Sequence, residues 1–209
     1  MAASFIRLYE ENPDPRKITQ IVNVLRSGGL IIYPSDTIYG LGCDIFNQKA
    51  VDRVRRIKNI NDKKMDLAFV CYDLSHLSVY AKNVSTPVFK LMKRILPGPY
   101  TFILNASSKV PKILKVKKKK VGIRIPNNRI PREIVQELGN PIVTTSLHDD
   151  DKILEYATDP ELIYEHYKNQ VDLIIDGGYG DNQASTIIDY SGEELEIIRE
   201  GKGEINKFL

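Results

Sequence analysis

Cysteine is scarce in this chain. Cys43 and Cys71 stand far apart and form no CxxC pair, so no disulfide framework is expected, and a reduced, cytoplasmic protein follows. The three histidines, His76, His148 and His166, lack metal-ligand spacing, so no metal site is expected. No apolar run approaches a membrane span, and Met1–Arg7 has neither the basic start nor the apolar stretch of a signal peptide, which leaves no expected role at a membrane. Familiar ligand motifs are missing too. There is no GxxxxGK[ST] phosphate loop and no GxSxG elbow, and Gly40-Leu41-Gly42 only begins a dinucleotide fingerprint, since Ile45 stands where its third glycine would be.

With 209 residues the chain is long enough for a single domain, 1–209, with a real core. Hydrophobic residues make up 42% and charged residues 27%, the balance of an ordinary globular protein. A net charge of +3 does not by itself imply nucleic acid, so distribution matters more. One basic cluster holds Arg53, Arg55, Arg56, Lys58, Lys63 and Lys64. A second holds Lys109, Lys112, Lys115, Lys117, Lys118, Lys119 and Lys120. Each reads either as a solvated surface or as a row of phosphate contacts.

Local signals alternate between helix and strand. Asp14-Pro15 caps and opens a helix with Ile18, Ile21, Val22 and Leu25 at helical spacing, and Gly28 ends it. Further helices are expected over Gln48–Lys58, from Asp73 to Tyr80, from Thr86-Pro87 through Ile95, over Pro131–Leu138, and from a capping box at Thr158-Asp159-Pro160-Glu161 through Tyr167. Expected strands are Leu67–Cys71, Tyr100–Leu104, Val121–Ile125, Pro141–Thr145, Val171–Ile175, Thr186–Asp189 and Leu195–Arg199. Interleaving of this kind specifies an α/β domain around a central twisted sheet. Ser107–Lys120 and His148–Ala157 are rich in charge and read as the mobile segments.

The most informative stretch is Gly28-Gly29-Leu30-Ile31-Ile32-Tyr33-Pro34-Ser35-Asp36-Thr37-Ile38-Tyr39-Gly40-Leu41-Gly42. An apolar strand stops at Pro34, hydroxyls and a carboxylate follow, and two glycines are expected to let the backbone approach a ligand. The segment resembles the signature of the YrdC-like family, which includes the threonylcarbamoyl-AMP synthases. Pro97–Phe102, Val121–Pro126, Pro141–Ser146, Ser185–Asp189 and Arg199-Glu200-Gly201 match in the same order, with details most similar to the YciO subgroup. The resemblance implies a YrdC-like fold, a twisted mixed open sheet with flanking helices and a concave basic face.

It also implies a reaction joining L-threonine, bicarbonate and ATP, with Mg²⁺, into threonylcarbamoyl-AMP for tRNA modification, with no tightly bound cofactor and with tRNA-modification proteins as partners. Thr37 and Thr101 then match positions lining the small-substrate pocket, Arg124 the arginine near substrate and phosphate, and Ser185 and Arg199 positions associated with the nucleotide. Lys58 and Ser146 match catalytic positions, and Lys64 a later nucleotide-binding lysine. Structural alternatives stand beside these roles: Thr37 as a turn cap, Thr101 as a plain strand residue, Ser185 as a loop end, Arg199 as an exposed strand-end charge. Arg124, inside an apolar strand, needs a buried partner if it is only structural. Two motifs depart from the family pattern. Lys58-Asn59-Ile60 lacks the arginine of Lys-x-Arg, and Ser146-Leu147-His148 has histidine where Ser-x-Asn has asparagine. Weak activity is therefore expected, with Arg55 a candidate replacement cation on the same helix face as Lys58. The competing reading is a binding module for double-stranded RNA, tRNA or ribosomal RNA. Its contacts would be Arg53, Arg55 and Arg56, on a helix near the proposed site, and Lys117–Lys120 in an exposed segment.

Overall fold

The chain is described by a computed structural model that covers residues 2–59, 67–111, 120–147, 158–192 and 194–207. Its elements in order are β1 Ser4–Arg7, α1 Pro15–Arg26, β2 Ile31–Tyr33, β3 Gly40–Asp44, α2 Gln48–Ile57, β4 Ala68–Val70, α3 Leu74–Tyr80, α4 Thr86–Ile95, β5 Tyr100–Asn105, β6 Lys120–Arg124, α5 Arg129–Leu138, β7 Ile142–Ser146, α6 Pro160–Tyr167, β8 Leu173–Asp176, β9 Thr186–Asp189 and β10 Glu196–Arg199. Local chemistry explains most boundaries. The Asp14 carboxylate accepts from Arg16 N with Pro15 in the first turn, and Gly28 leaves the helix at φ +83°, a conformation that side chains resist. Gly139 closes α5 in the same way at φ +85°.

Among the described residues ten strands form one mixed sheet in the order β1-β8-β2-β3-β7-β4-β6-β5-β9-β10. Side chains alternate across it, and the two faces meet different helices. Ile31 and Tyr33 of β2, with Leu173 and Ile175 of β8, pack under the apolar stripes of α1 and α5. Ile32 and Ile174 point the other way, into the layer built with α2, α3, α4 and α6. The α1/α5 layer contains no residue of β5, β6, β9 or β10. On those strands Phe102, Leu104, Val121, Ile123 and Ile188 all enter the opposite layer. Their neighbours Thr101, Gly122, Arg124 and Ile187 therefore turn to a stretch of sheet that neither α1 nor α5 covers.

Three expectations needed correction. Gly40–Asp44 is a strand, hydrogen-bonded to β2 and β7, rather than the loop its glycines suggest. Those glycines make room for a side chain, not a ligand: a Cβ on Gly40 would lie 2.7 Å from Tyr33 Cζ, and one on Gly42 would lie 2.7 Å from Val143 O and 3.1 Å from Tyr33 Cε1. The cap of α6 is Asp159, whose carboxylate accepts from Glu161 N, not Thr158, because Pro160 sits in the first turn and moves the cap one residue forward. Lys120 opens β6 opposite Asn105 and is not part of an exposed loop. Strand β1 carried too short an apolar signal to be expected, and it exists because it pairs in parallel with β8. No helix among the described residues is long and apolar enough to cross a membrane.

Candidate functional site

The site is built where β2 stops. Pro34 ends the strand, and Ser35, Asp36 and Thr37 follow as a turn that faces the end of β6. Thr37 is buried, at 1% exposure, with its hydroxyl 3.4 Å from Ser35 Oγ. Arg124, the last residue of β6, sits opposite Val70 of β4 and Thr101 of β5. Its Nη2 donates to Asp36 Oδ1 at 2.8 Å and reaches Ser35 Oγ at 3.4 Å. The other Asp36 oxygen accepts from Asn127 N at 2.9 Å. Both side chains are largely withdrawn from water, at 13% and 9% exposure. Arg124 Nε is buried with no hydrogen-bond partner among the described residues. The arginine thus has its buried counterion and keeps a spare donor.

A second branch joins at Thr101. Its hydroxyl lies 2.9 Å from Ser185 Oγ. The Arg199 guanidinium donates to Ser185 O through Nε at 3.2 Å and Nη2 at 3.0 Å. The register runs Arg124, Thr101, Ile187, Arg199 across β6, β5, β9 and β10, which puts both arginines on one face. Lys202, just past β10, donates to Asp36 O at 2.8 Å and pairs with Asp181 Oδ2 at 2.7 Å. Partial burial by itself would raise the Asp181 carboxyl, but Lys202 and the amides of Gln183 and Asn182 hold it below its ordinary value.

A third group stands at the end of β7. Ser146 lies opposite Gly40. Lys58, which caps α2, reaches Leu147 O at 3.3 Å. Two residues back along β7, Thr144 Oγ1 accepts from the Tyr33 hydroxyl. Burial pushes that phenol up to about 12, so it remains a neutral donor. Cys43 and Cys71 are buried free thiols whose burial pushes their pKa upward, which leaves them unsuited to nucleophilic work.

The expected residues are therefore divided. Thr37, Thr101, Arg124, Ser185 and Arg199 form one connected array, with Lys58 and Ser146 at the neighbouring strand end. The basic helix does not lie against it as a whole. Only its C-terminal end, at Lys58, reaches the site. Arg53 pairs with Asp172 Oδ2 at 3.0 Å and donates to Gln170 O at 3.4 Å, before the start of β8, whereas the Ser35–Thr37 turn follows the end of β2, which runs parallel to β8. Arg55 lies 4.0 Å from Asp52, and Arg56 Nε donates to Asp52 O at 3.3 Å. Lys120 pairs with Asp189 at 2.8 Å. Lys64, Lys117, Lys118, Lys119, Ile60 and His148 lie outside the described residues.

Two members of the array, Asp36 and Lys202, were not foreseen. Asp36 had a usable signal, because a cation inside an apolar strand needs a carboxylate and one stands in the opening motif. Lys202 had none, since the carbonyl it reaches, that of Asp36, is 166 residues away along the chain. Chemically the set consists of cations and hydroxyls. It can neutralise and orient an anion with neighbouring polar groups, as positioning catalysis requires. Among the described residues no group of three or more His, Cys, Asp or Glu could hold a metal ion.

The Sua5/YciO/YrdC family profile, described as "Telomere recombination", matches residues 23–201. "Uncharacterized protein YciO" of Escherichia coli K12 is 39% identical over 99% of this chain and 100% of its own length, and the E. coli YciO crystal structure superposes with a TM-score of 0.92. A "Putative threonylcarbamoyl-AMP synthase" of Methanocaldococcus jannaschii is 33% identical over 97% of this chain and 95% of its own. The crystal structure of P. abyssi Sua5 complexed with L-threonine has a TM-score of 0.85 at 27% identity, over 94% of this chain and 57% of that one. In sequence and in fold, this chain belongs to the Sua5/YciO/YrdC family.

Proposed function

We propose that the protein is a threonylcarbamoyl-AMP synthase-like enzyme that uses ATP with Mg²⁺, L-threonine and bicarbonate, in the service of tRNA modification. The observation that carries this reading is the array in which Arg124 and Arg199 share one face with the Thr101 and Ser185 hydroxyls between them. The threonine amine captures bicarbonate as a carbamate with loss of water. A carbamate oxygen then attacks the α-phosphorus, the bond to the β-phosphate breaks, and pyrophosphate leaves. Such a transfer calls for positioning and charge neutralisation more than for a covalent intermediate.

In this reading Thr37 and Thr101 shape the amino-acid pocket. Arg124, oriented by Asp36, sets its positive charge beside an anionic oxygen of the substrate or phosphate. Ser185 and Arg199 take the nucleotide, and Lys58, Lys64 and Ser146 serve the phosphates. Support comes from the M. jannaschii relative's name and from the L-threonine in the P. abyssi Sua5 crystal. The Ile60 and His148 replacements make the expected turnover slow. Calorimetric titration with ATP–Mg²⁺, with and without L-threonine, tests the reading, together with pyrophosphate release that requires all three substrates. No heat and no pyrophosphate would overturn it. RNA binding draws less support, because Arg53 and Lys120 are engaged in ion pairs within the fold.

A further inference from the structure

Lys202 belongs to no motif, yet its contacts are unusually directed. The turn that carries it is seated through its backbone. Gly201 N donates to Thr186 Oγ1 at 3.0 Å, Thr186 Oγ1 to Gly203 O at 2.7 Å, and Lys202 N to Ala184 O at 2.8 Å. A Cβ on Gly201 would come within 2.2 Å of Ala184 O, and one on Gly203 within 2.3 Å of the Tyr100 ring. The turn thus lies close against the residues that lead into β9 and against Tyr100 of β5. From this seat the lysine stem crosses to two segments remote in sequence, donating to Asp36 O and pairing with Asp181. Asp181 N in turn approaches Thr37 O at 3.4 Å. The ammonium therefore holds the main chain of the very residue whose carboxylate holds Arg124.

We propose that Lys202 is a positioning residue: by tying the Asp36 backbone to the seated 201–203 turn, it sets the direction in which the Arg124 guanidinium meets a bound anion. The proposal rests on the reading that this face binds the nucleotide and the amino acid, and it adds a residue outside the family motifs. An ion pair as exposed as Lys202–Asp181, at 40% and 29%, stabilises a fold only slightly. Removing it should leave folding intact, so ligand affinity and loop order are the discriminating readouts.

The test compares wild type with Lys202→Met, Lys202→Arg, Arg124→Lys and the Arg124→Lys/Lys202→Met double variant. Lys202→Met should keep its melting temperature while weakening the uptake of ATP–Mg²⁺ and L-threonine about tenfold, since small misplacements of a binding group cost that much or more. The loss should fall on KM more than on kcat. Lys202→Arg should recover most of it, and the double variant should be no worse than Arg124→Lys alone. Amide exchange at Asn127, whose N–H rests on Asp36, should accelerate in Lys202→Met without any ligand present. If wild type binds ligand and Lys202→Met binds it equally well, the positioning role is overturned. If wild type binds nothing, the nucleotide reading fails, and Asn127 exchange then decides alone: unchanged protection refutes the role of Lys202, and faster exchange sustains it.

Discussion

Removing the Asp36 carboxylate should expose how the site is held together. Arg124 and Asp36 meet at 2.8 Å with side chains 13% and 9% exposed, so Asp36→Ala strands a nearly buried guanidinium. Breaking a buried pair from one side costs about 3–5 kcal/mol, because the remaining charge keeps its desolvation penalty. Two features bring this case to the lower end: Ser35 Oγ still lies 3.4 Å from Arg124 Nη2, and the guanidinium keeps some access to solvent. Loss of the acceptor for Asn127 N adds about 1 kcal/mol. A total near 4 kcal/mol should lower the melting temperature by about 8–16 °C for a chain of this size. Asp36→Asn keeps an acceptor oxygen and should cost about half as much. The Asp36→Ala/Arg124→Met double variant should recover much of the loss, since no charge is then stranded. Scanning calorimetry and urea titration measure all three. An Asp36→Ala melting point within about 2 °C of wild type would refute the reasoning, since that shift corresponds to about 1 kcal/mol at most, as would a double variant no more stable than Asp36→Ala.

Four further outcomes are expected. Gly42→Ala should destabilise by about 1–3 kcal/mol in urea titration, because its Cβ would meet a backbone carbonyl and the Tyr33 ring, neither of which is free to move; a neutral effect would mean that β3 can shift. Donors from Lys120 and Ser191 outweigh burial and hold the Asp189 carboxyl below its ordinary value. The stability this contributes is present above the unfolded-state value of about 4 and is lost as pH falls through the lower folded-state value, so Asp189→Asn should flatten the acid limb of a urea-midpoint profile. Ile60→Arg should speed pyrophosphate release from ATP, L-threonine and bicarbonate by about tenfold or more, as restored phosphate contacts do; an unchanged or lower rate with the fold intact would mean that another group has taken over the contact or that the chemistry is different. In a gel shift against duplex RNA, absence of binding at low salt removes the RNA reading; where binding is seen, neutralising Lys117–Lys120 should make its salt dependence shallower, and an unaltered slope would remove that run from any RNA role.

The elements that could be read from the chain are those whose cause is local. Asp14, Pro15, the apolar spacing of α1 and Gly28 act within a few residues of one another, so the helix and its ends follow from the sequence alone. The family signature likewise pointed to Arg124, Thr101, Ser185 and Arg199, which the fold brings to one face of the sheet. Strand β3 could not be read, because Gly40 and Gly42 look like loop residues until the Tyr33 ring is seen filling the space their missing side chains leave. The requirement that Arg124 have a buried partner was visible in the sequence, but only the fold supplied Asp36, 88 positions away. Arg53 shows the reverse: its charge suggested the site, and the pairing of β2 with β8 places it at the other end of the strands, against Asp172. Sequence settled what capping, periodicity and glycine conformation control over one or two turns. Which cations gather on one face of the sheet and which are paired elsewhere in the fold was decided by strand order and register, because those bring together groups that no local pattern connects.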